Sequence, residues 1–399
     1  MGLSRDDALE RDAADPLAGF RDQFLLDEQL VAYLDGNSLG RAPKATVERL
    51  ERMYREQWAG RLIRGWTEGW TDLPTQVGDR LGDAVLGAAP GQVVVADSTS
   101  VNLYKALHAA TGLRPDRREV AVDDTNFPTD RYLVESVALE RGLTVAWISP
   151  DPATGATADD LAAVLGADTA LVLLSHVDYR SGYVADLPGL TAQIHDAGAL
   201  AVWDLSHSAG CVPVGLDAAE ADFAVGCTYK YLNAGPGAPA FVYVADRHLD
   251  HVRQPLEGWF AAADVFAMAG EFAPAPGIRR MLTGTPNVPG VVAVDEGVAL
   301  VAEAGIDRIA DKARQVTSYA VHLLDGHGIE VASPRAADLR GGHVTVRVPD
   351  AEAVTARLVA RGVVPDFRNP DLVRLGMSPL TTTYAEVWDG ITALAEEVA

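Results

Sequence analysis

Ala199-Leu-Ala-Val-Trp-Asp-Leu-Ser-His207 and Phe223-Ala-Val-Gly-Cys-Thr-Tyr-Lys-Tyr231 are two apolar runs that each end in polar residues. Their hydrophobicity is continuous rather than alternating, which is typical of strands that are covered on both faces. Asp204 follows the first run, and Lys230 follows the second run 26 residues later. Ligands of open α/β sheets bind beyond the carboxyl ends of the strands, so Asp204 and Lys230 are the first candidates for a functional site.

Apolar runs alternate with helical patterns through the middle of the chain, which predicts an α/β fold with a mostly parallel sheet covered by helices. After Gly328 the pattern changes to that of a smaller α+β domain. We expect an N-terminal segment over 1–45 that joins the small domain, a large domain over 46–290, and a helical exit with a small C-terminal domain over 291–399. The predicted strands are 93–95, 120–122, 145–148, 170–174, 199–203, 223–226, 240–244, 343–348 and 372–375, and the predicted helices are 45–58, 100–111, 131–141, 158–165, 187–197, 287–305, 307–324, 351–360 and one from 384.

The charge balance limits the classes of partner. Lys and Arg total 33 against 56 Asp and Glu, and this excess of acid argues against nucleic acid, which proteins bind through basic patches. Residues 1–15 are charged throughout and lack the apolar core of a secretion signal, and no run approaches the roughly 18 apolar residues of a membrane span. The chain contains two cysteines, which suits a reducing cytoplasm. We therefore expect a cytoplasmic protein with neither a nucleic-acid nor a membrane partner.

Three strand ends offer what pyridoxal 5'-phosphate (PLP) requires, namely an amine, an anion beside the ring nitrogen and a phosphate cradle. Lys230 would supply the amine, because a lysine in a dry pocket loses its proton easily. Asp204 would face the ring nitrogen. Thr99 and Ser100 follow a third apolar run at the predicted start of a helix, where hydroxyls, backbone N–H groups and the helix dipole favour an anion. Together these strand ends predict a PLP enzyme.

Motifs along nearly the whole chain resemble those of the kynureninases, a family of PLP enzymes with the aspartate-aminotransferase-like fold, PLP fold type I. The motif at 33–40, called the early motif below, and the motif at 228–235, which contains Lys230, are specific to the family rather than to the fold. The motifs are Tyr33-Leu-Asp-Gly-Asn-Ser-Leu-Gly40, Asn126-Phe-Pro-Thr-Asp130, Asp204-Leu-Ser-His207, Thr228-Tyr-Lys-Tyr-Leu-Asn-Ala-Gly235, Gly258-Trp-Phe260, Gly284-Thr-Pro286 and Arg374.

The resemblance implies roles around the cofactor ring. Phe127 would stack on the ring, while Asp130 and Ser175 would contact its polar edge. His207 would line the pocket beside Asp204. From composition alone, Phe127 could equally be a core aromatic residue.

The resemblance also implies a phosphate site that is completed by a second subunit. Tyr229 and Trp259 would reach the phosphate, and Thr285 would be a phosphate contact donated by the second subunit. An active homodimer is therefore expected, although Trp259 could equally be a core aromatic residue.

The activity implied by the resemblance is the hydrolysis of L-kynurenine to anthranilate and L-alanine, with Lys230 and Tyr229 as the proton-transfer groups. Arg374 lies in an apolar run, and its planar fork suits the α-carboxylate of the substrate, although a surface salt bridge is the alternative. Ser38 and Trp66 would line the aryl pocket and favour kynurenine over 3-hydroxykynurenine. Packing against Trp70 would equally explain Trp66, and a ring-substituted kynurenine remains an alternative substrate.

Other functions fit the sequence less well. A cysteine desulfurase or selenocysteine lyase commonly uses a cysteine in the C-terminal part of the chain, and none follows Cys227. A dinucleotide site at 235–240 would be obstructed by Pro236 and Pro239. Retention of Lys230 argues against a non-catalytic binding protein. His207 and Cys211 lack a second pair of metal ligands, so no metal site is expected, and both cysteines are expected to be buried.

Overall fold

The computed structural model describes residues 3–151, 155–268 and 270–399. Its strands are β1 (Ala32–Tyr33), β2 (Val93–Val95), β3 (Glu119–Asp123), β4 (Thr144–Ile148), β5 (Thr169–Ser175), β6 (Leu200–Asp204), β7 (Phe223–Gly226), β8 (Phe241–Val244), β9 (Glu330–Val331), β10 (His343–Arg347), β11 (Val363–Val364), β12 (Asp366–Arg368) and β13 (Leu372–Gly376). Its helices are α1 (Arg5–Ala14), α2 (Lys44–Arg52), α3 (Ala59–Arg61), α4 (Leu73–Leu81), α5 (Thr99–Gly112), α6 (Pro128–Arg141), α7 (Ala158–Ala162), α8 (Leu187–Asp196), α9 (Asp246–Leu249), α10 (Val288–Ala304), α11 (Ile306–Gly326), α12 (Ala351–Ala360) and α13 (Tyr384–Val398).

The main sheet has the order β2-β8-β7-β6-β5-β3-β4. The pairs of β3 with β4 and β5, of β5 with β6, and of β6 with β7 are parallel. β8 runs antiparallel to β7 and to β2, so β2 again points in the common direction. The prediction of a mostly parallel sheet is confirmed. One edge of the sheet collects the carboxyl ends of every strand except β8, and this edge positions the candidate site.

Side chains from alternate positions of each central strand pack on opposite faces of the main sheet. In β6, Leu200 and Val202 belong to the cluster that includes α5 and α6 residues, whereas Ala201 and Trp203 belong to the cluster under α4, α8 and α10. Both faces are therefore buried against helices. This double burial is the physical reason for the continuous hydrophobicity of these strands.

A second, smaller sheet has the order β12-β13-β10-β9 and is antiparallel. It packs with α11, α12 and α13 around a separate apolar cluster that also contains Ala32 and Leu34 from the N-terminal segment. β1 pairs in parallel with β11, which ties that segment to the C-terminal part of the chain. The predicted domain boundaries at residues 45 and 290 stay a prediction.

The structure also departs from several predicted element bounds. The predicted helix 45–58 ends as α2 at Arg52 and continues as a wider π-helical turn over Met53–Trp58. The predicted helix 158–165 is only α7. Cys211 and Cys227 are free and buried, as predicted. None of the helices in the described part of the chain combines the length and the hydropathy that a bilayer crossing requires.

Candidate active site

A cavity of about 190 Å³ opens at the carboxyl edge of the main sheet. Strand ends of β5, β6 and β7 and the first turns of α5 and α6 supply its walls. Most of the predicted site residues meet there, although they are spread over more than 130 positions of the chain. The lining residues are Thr99, Ser100, Phe127, Thr129, Asp130, Ser175, Tyr179, Asp204, Ser206, His207, Tyr229 and Lys230.

Lys230 supplies the amine of the cavity. Its Nζ atom lies 2.9 Å from Nε2 of His207, and its side chain is half-buried. Burial, followed by the charge of Lys230, holds the pKa of His207 well below its ordinary value. The neutral ring is therefore favoured, and its Nε2 can accept a hydrogen bond from the Lys230 amine.

The early motif packs directly on the turn that carries Lys230. The backbone N–H of Gly40 donates to the carbonyl of Tyr229 at 2.8 Å. A Cβ at position 40 would overlap both the carbonyl oxygen of Lys230 and the side chain of Asn233, so this position requires glycine. Asn233 itself has a φ of 55° and donates to the carbonyl of Tyr231. The two most specific motifs are thus one structural unit that fixes the lysine.

Asp204 ends β6 and is held by a turn of its own backbone. Ser206 donates to Oδ1 of Asp204 from its backbone N–H at 2.8 Å and from its hydroxyl at 2.6 Å. A side-chain hydrogen bond links the carboxyl groups of Asp204 and Asp130. The neighbouring carboxyl of Asp130 is fully buried, and burial followed by the charge of Asp204 raises its pKa well above the ordinary value. This shift favours the protonated form of Asp130, which can then donate to Asp204.

Phe127 and Ser175 lie on the wall opposite the lysine turn. The ring of Phe127 is 40% exposed, so the interpretation as a core aromatic residue is wrong for Phe127. It contacts Tyr179 edge to face at 5.3 Å between ring centroids. The Ser175 hydroxyl donates to Oδ1 of Asn126, which also accepts the backbone N–H of Phe127. A planar ligand would therefore meet an accessible aromatic ring.

The amino end of α5 forms the phosphate-sized end of the cavity. Ser98 caps the helix by accepting the backbone N–H of Val101, so Thr99 and Ser100 stand in the first turn. These two residues and Tyr229 are shared with an adjoining cavity of about 440 Å³. Thr285 lines that second cavity, on the segment before α10. The first turn of a helix offers N–H groups and a favourable dipole to an anion.

Arg374 lies on β13 and is buried, so it is not a surface salt bridge. Its guanidinium pairs with Asp366 and donates to the Ser38 hydroxyl at 2.7 Å and to the carbonyl of Tyr179 at 2.6 Å. Its buried Nε–H has no acceptor among the described residues. That free donor and the fork beside it suit a carboxylate.

Five predicted residues do not line this cavity in the single chain, namely Ser38, Trp66, Trp259, Thr285 and Arg374. Trp66 packs edge to face on Trp70 and Phe260, with ring centroids 5.4 and 5.5 Å away. Trp259 contacts Phe260 at 4.6 Å and is 38% exposed. Neither ring lines the cavity with Lys230, so their roles toward a ligand stay predictions.

The sequence analysis missed several residues that shape the site. Ser206 could have been found, because a serine two residues after an aspartate commonly closes a turn on that carboxylate. Asp366 is eight residues before Arg374 in a separate short strand, and nothing in the sequence pattern pairs them. Tyr179 lies in a loop after β5 without a local motif. Tertiary structure alone brings these last two to the site.

Comparisons with known proteins agree with this geometry. Residues 32–362 match the family model described as aminotransferase class-V. The chain is 42% identical to a kynureninase from Pseudomonas fluorescens over 404 residues, an alignment that covers 98% of this chain and 95% of that protein. It is 41% identical to a kynureninase from Burkholderia pseudomallei with the same coverage.

Solved structures with less sequence similarity share the fold. An apo cysteine desulfurase from Thermococcus onnurineus NA1 superposes with a TM-score of 0.84 at 21% identity, covering 95% of this chain and 97% of that chain. A C-DES variant with glycine covalently linked to its PLP cofactor gives 0.83 at 20% identity, covering 94% and 99%. These likenesses show the fold alone, whereas the full-length identity above 40% shows the family. The chain belongs to the kynureninase family, within the class-V aminotransferases.

Proposed function

We propose that this protein is a PLP-dependent kynureninase that hydrolyses L-kynurenine to anthranilate and L-alanine. The observation that carries the proposal is the convergence of Lys230, Asp204 and the first turn of α5 on one cavity. When bound, the cofactor supplies an electron sink for the bonds that break in the substrate. The family of the chain selects kynurenine as the substrate.

The cavity fits the cofactor by the chemistry of its donors and acceptors. Lys230 would form the covalent link, and the side chain of Asp204 would accept the pyridinium N–H. The hydroxyls and N–H groups of Thr99 and Ser100 would bind the phosphate. Phe127 would cover one face of the ring with its accessible side chain.

Proton transfer is assigned to two adjacent residues. The Lys230 amine would remove the proton from the substrate α-carbon, and its contact with neutral His207 keeps it directed into the cavity. Tyr229 would donate a proton to Cβ of the alanine fragment when the bond between Cβ and Cγ breaks. The neighbouring Cys227 thiol and burial raise the pKa of Tyr229, which keeps its hydroxyl protonated for this step.

Arg374 would bind the substrate α-carboxylate through its free Nε–H and the adjacent fork. The uncharged hydroxyl of Ser38 accepts a hydrogen bond from the guanidinium of Arg374 and helps to orient it. A carboxylate bound here would share Arg374 with Asp366. The site would therefore select amino acids by a charge-assisted contact.

The proposed assembly is a cytoplasmic homodimer with the site at its interface. The apolar residues Tyr54, Trp58, Leu62 and Ile63 are all exposed within the segment 54–63, and Ile63 is 77% exposed. Exposed stretches of this kind are typical of protein interfaces. The partner subunit would supply Thr285, which does not line the cavity of Lys230 in its own chain. Sedimentation of the holoprotein tests for the dimer.

Steady-state turnover of kynurenine and 3-hydroxykynurenine tests the activity. We expect anthranilate and alanine in equal amounts from kynurenine, with a higher kcat/KM than for the hydroxylated substrate. Preference for 3-hydroxykynurenine would overturn the assignment of Trp66 to a purely apolar aryl pocket. Absence of both activities in PLP-loaded protein would overturn the proposed function.

A further inference from the structure

Behind the first turn of α5 lies an ion pair between Lys105 and Asp97. We propose that this pair is a positioning device, which fixes the hydroxyls of 98–100 relative to those of 283–285 and thereby sets the affinity for the cofactor phosphate. The inference rests on the proposed function, because it assigns a phosphate to this end of the cavity.

The pair joins two segments that are far apart in sequence. Nζ of Lys105 donates to Oδ2 of Asp97 at 2.7 Å and to the carbonyl of Met281 at 2.6 Å. The hydroxyl of Thr283 donates to the same carboxylate, 3.0 Å from Oδ1 and 3.2 Å from Oδ2. One lysine and one aspartate thus bind the segment before α5 to the segment before α10.

These two segments are the opposite walls of the 440 Å³ cavity. Ser98, Thr99 and Ser100 line one wall, and Thr283 and Thr285 line the other. Each wall leads into a long helix, since Ser98 caps α5 and Asn287 caps α10. The pair therefore fixes Thr99 and Ser100 for the phosphate of their own subunit and sets where Thr285 is presented to the phosphate of a partner subunit.

The local structure is costly, which argues for a function beyond packing. The Lys105 side chain is fully buried, and a buried ammonium is tolerated only with close partners. Asp97 has a φ of 51°, a left-handed conformation that is unfavourable for residues other than glycine. The carbonyl of Asp97 accepts from Ala240 at the start of β8, so the strained residue is anchored on both sides.

The charges of Lys105 and Asp97 cancel, so the pair affects phosphate binding through the positions of the surrounding groups rather than through net charge. A variant that removes both charges, Lys105→Met with Asp97→Asn, leaves the net charge unchanged and leaves no single buried ion. Thr283→Val breaks only one of the hydrogen bonds and serves if the double variant fails to fold. Lys312 and Asp15 form another buried pair, far from the cavity in the helical part of the chain, and Lys312→Met with Asp15→Asn is the matched control.

The experiment measures dissociation constants of PLP and of pyridoxal, which lacks the phosphate, for full-length protein freed of cofactor. We expect the double variant to weaken PLP binding by about tenfold or more, because small displacements of preorganised groups carry large penalties. Pyridoxal binding should change by less than about twofold, because it makes no use of the cradle. Thr283→Val should shift the ratio of the two constants in the same direction, and the control pair should leave it unchanged.

An unchanged ratio in both the double variant and Thr283→Val would overturn the positioning role. An equal shift in the control pair would also overturn it, because the effect would then come from general loss of stability. Failure of the unaltered protein to bind either compound would instead overturn the proposed function and this inference with it.

Discussion

Nζ of Lys230 and Nε2 of His207 are 2.9 Å apart, although His207 is buried and its ring is neutral. A neutral ring can accept a hydrogen bond from the amine at one nitrogen without competing for charge. His207→Leu removes this acceptor. Because an ordinary hydrogen bond contributes about 0.5–1.5 kcal/mol, we expect kcat to fall by roughly 2- to 10-fold. Steady-state kinetics measure the change. His207→Gln, which retains an acceptor, should lose less, and equal losses in both variants would contradict the role.

Asp130 and Asp204 should respond differently to the same substitution. Burial and the charge of Asp204 raise the pKa of Asp130 and favour its neutral form, so Asp130→Asn should be a mild change. Asp204→Asn instead removes the charge that would face the pyridinium. We expect the Asp204 variant to lose activity by about 100-fold or more and the Asp130 variant by less than about tenfold, as expected when a charge rather than a shape is removed. The reverse order would contradict the assignment of charge within the pair.

Arg374→Lys keeps the positive charge at the predicted carboxylate site but removes the planar guanidinium, which can bind a carboxylate through two N–H groups. We expect KM for kynurenine to rise by roughly 10- to 100-fold, which corresponds to the loss of a charge-assisted contact of about 1.5–3 kcal/mol. Arg347→Lys on β10, where the arginine is exposed and pairs with Glu330, is the matched control. An unchanged KM in the Arg374 variant would show that the substrate carboxylate binds elsewhere.

His176 predicts a pH dependence of stability. Burial lowers its pKa to about 4, so its ring is neutral in the folded protein across the neutral range. The unfolded ring titrates near pH 6.5, so the unfolded chain binds an extra proton between these values and the free energy of unfolding falls as the pH falls below about 6.5. The slope for one such group approaches about 1.4 kcal/mol per pH unit.

His176→Leu removes that contribution. Between pH 6.5 and 5, the unaltered protein should lose about 2 kcal/mol more unfolding free energy than the variant, as measured by urea denaturation. The same substitution at the exposed His251 controls for the loss of any histidine. A parallel pH dependence in the unaltered protein and in the His176 variant would contradict the buried neutral state.

The sheet and its functional edge could be predicted because local patterns decide them. The predicted and observed bounds of Phe223–Gly226 agree, because a short apolar run between turn residues favours a buried strand. Parallel topology then places Asp204 and Lys230 at one edge. The family resemblance extended the prediction to Phe127 and Asp130, which the cavity brings together with them.

Other parts of the site depend on long-range packing that no local pattern records. Lys105 looks like a solvated helical lysine in the sequence, and only the segment at Met281–Thr283 makes it a buried ion-pair partner. Asp366 reaches Arg374 through the pairing of β12 with β13. The spacing of Trp66 and Trp70 indicates their mutual contact, whereas no local sequence pattern indicates which residues contact a second subunit.

The covalent attachment site of the cofactor tests the central claim most directly. The chain has four lysines, and Lys44 is exposed while Lys105 and Lys312 are buried in ion pairs. Holoprotein treated with borohydride should yield, after proteolysis and mass spectrometry, a single modified peptide that carries the cofactor mass on Lys230. Modification of Lys44, Lys105 or Lys312 instead, or a Lys230 peptide of unmodified mass, would contradict the account.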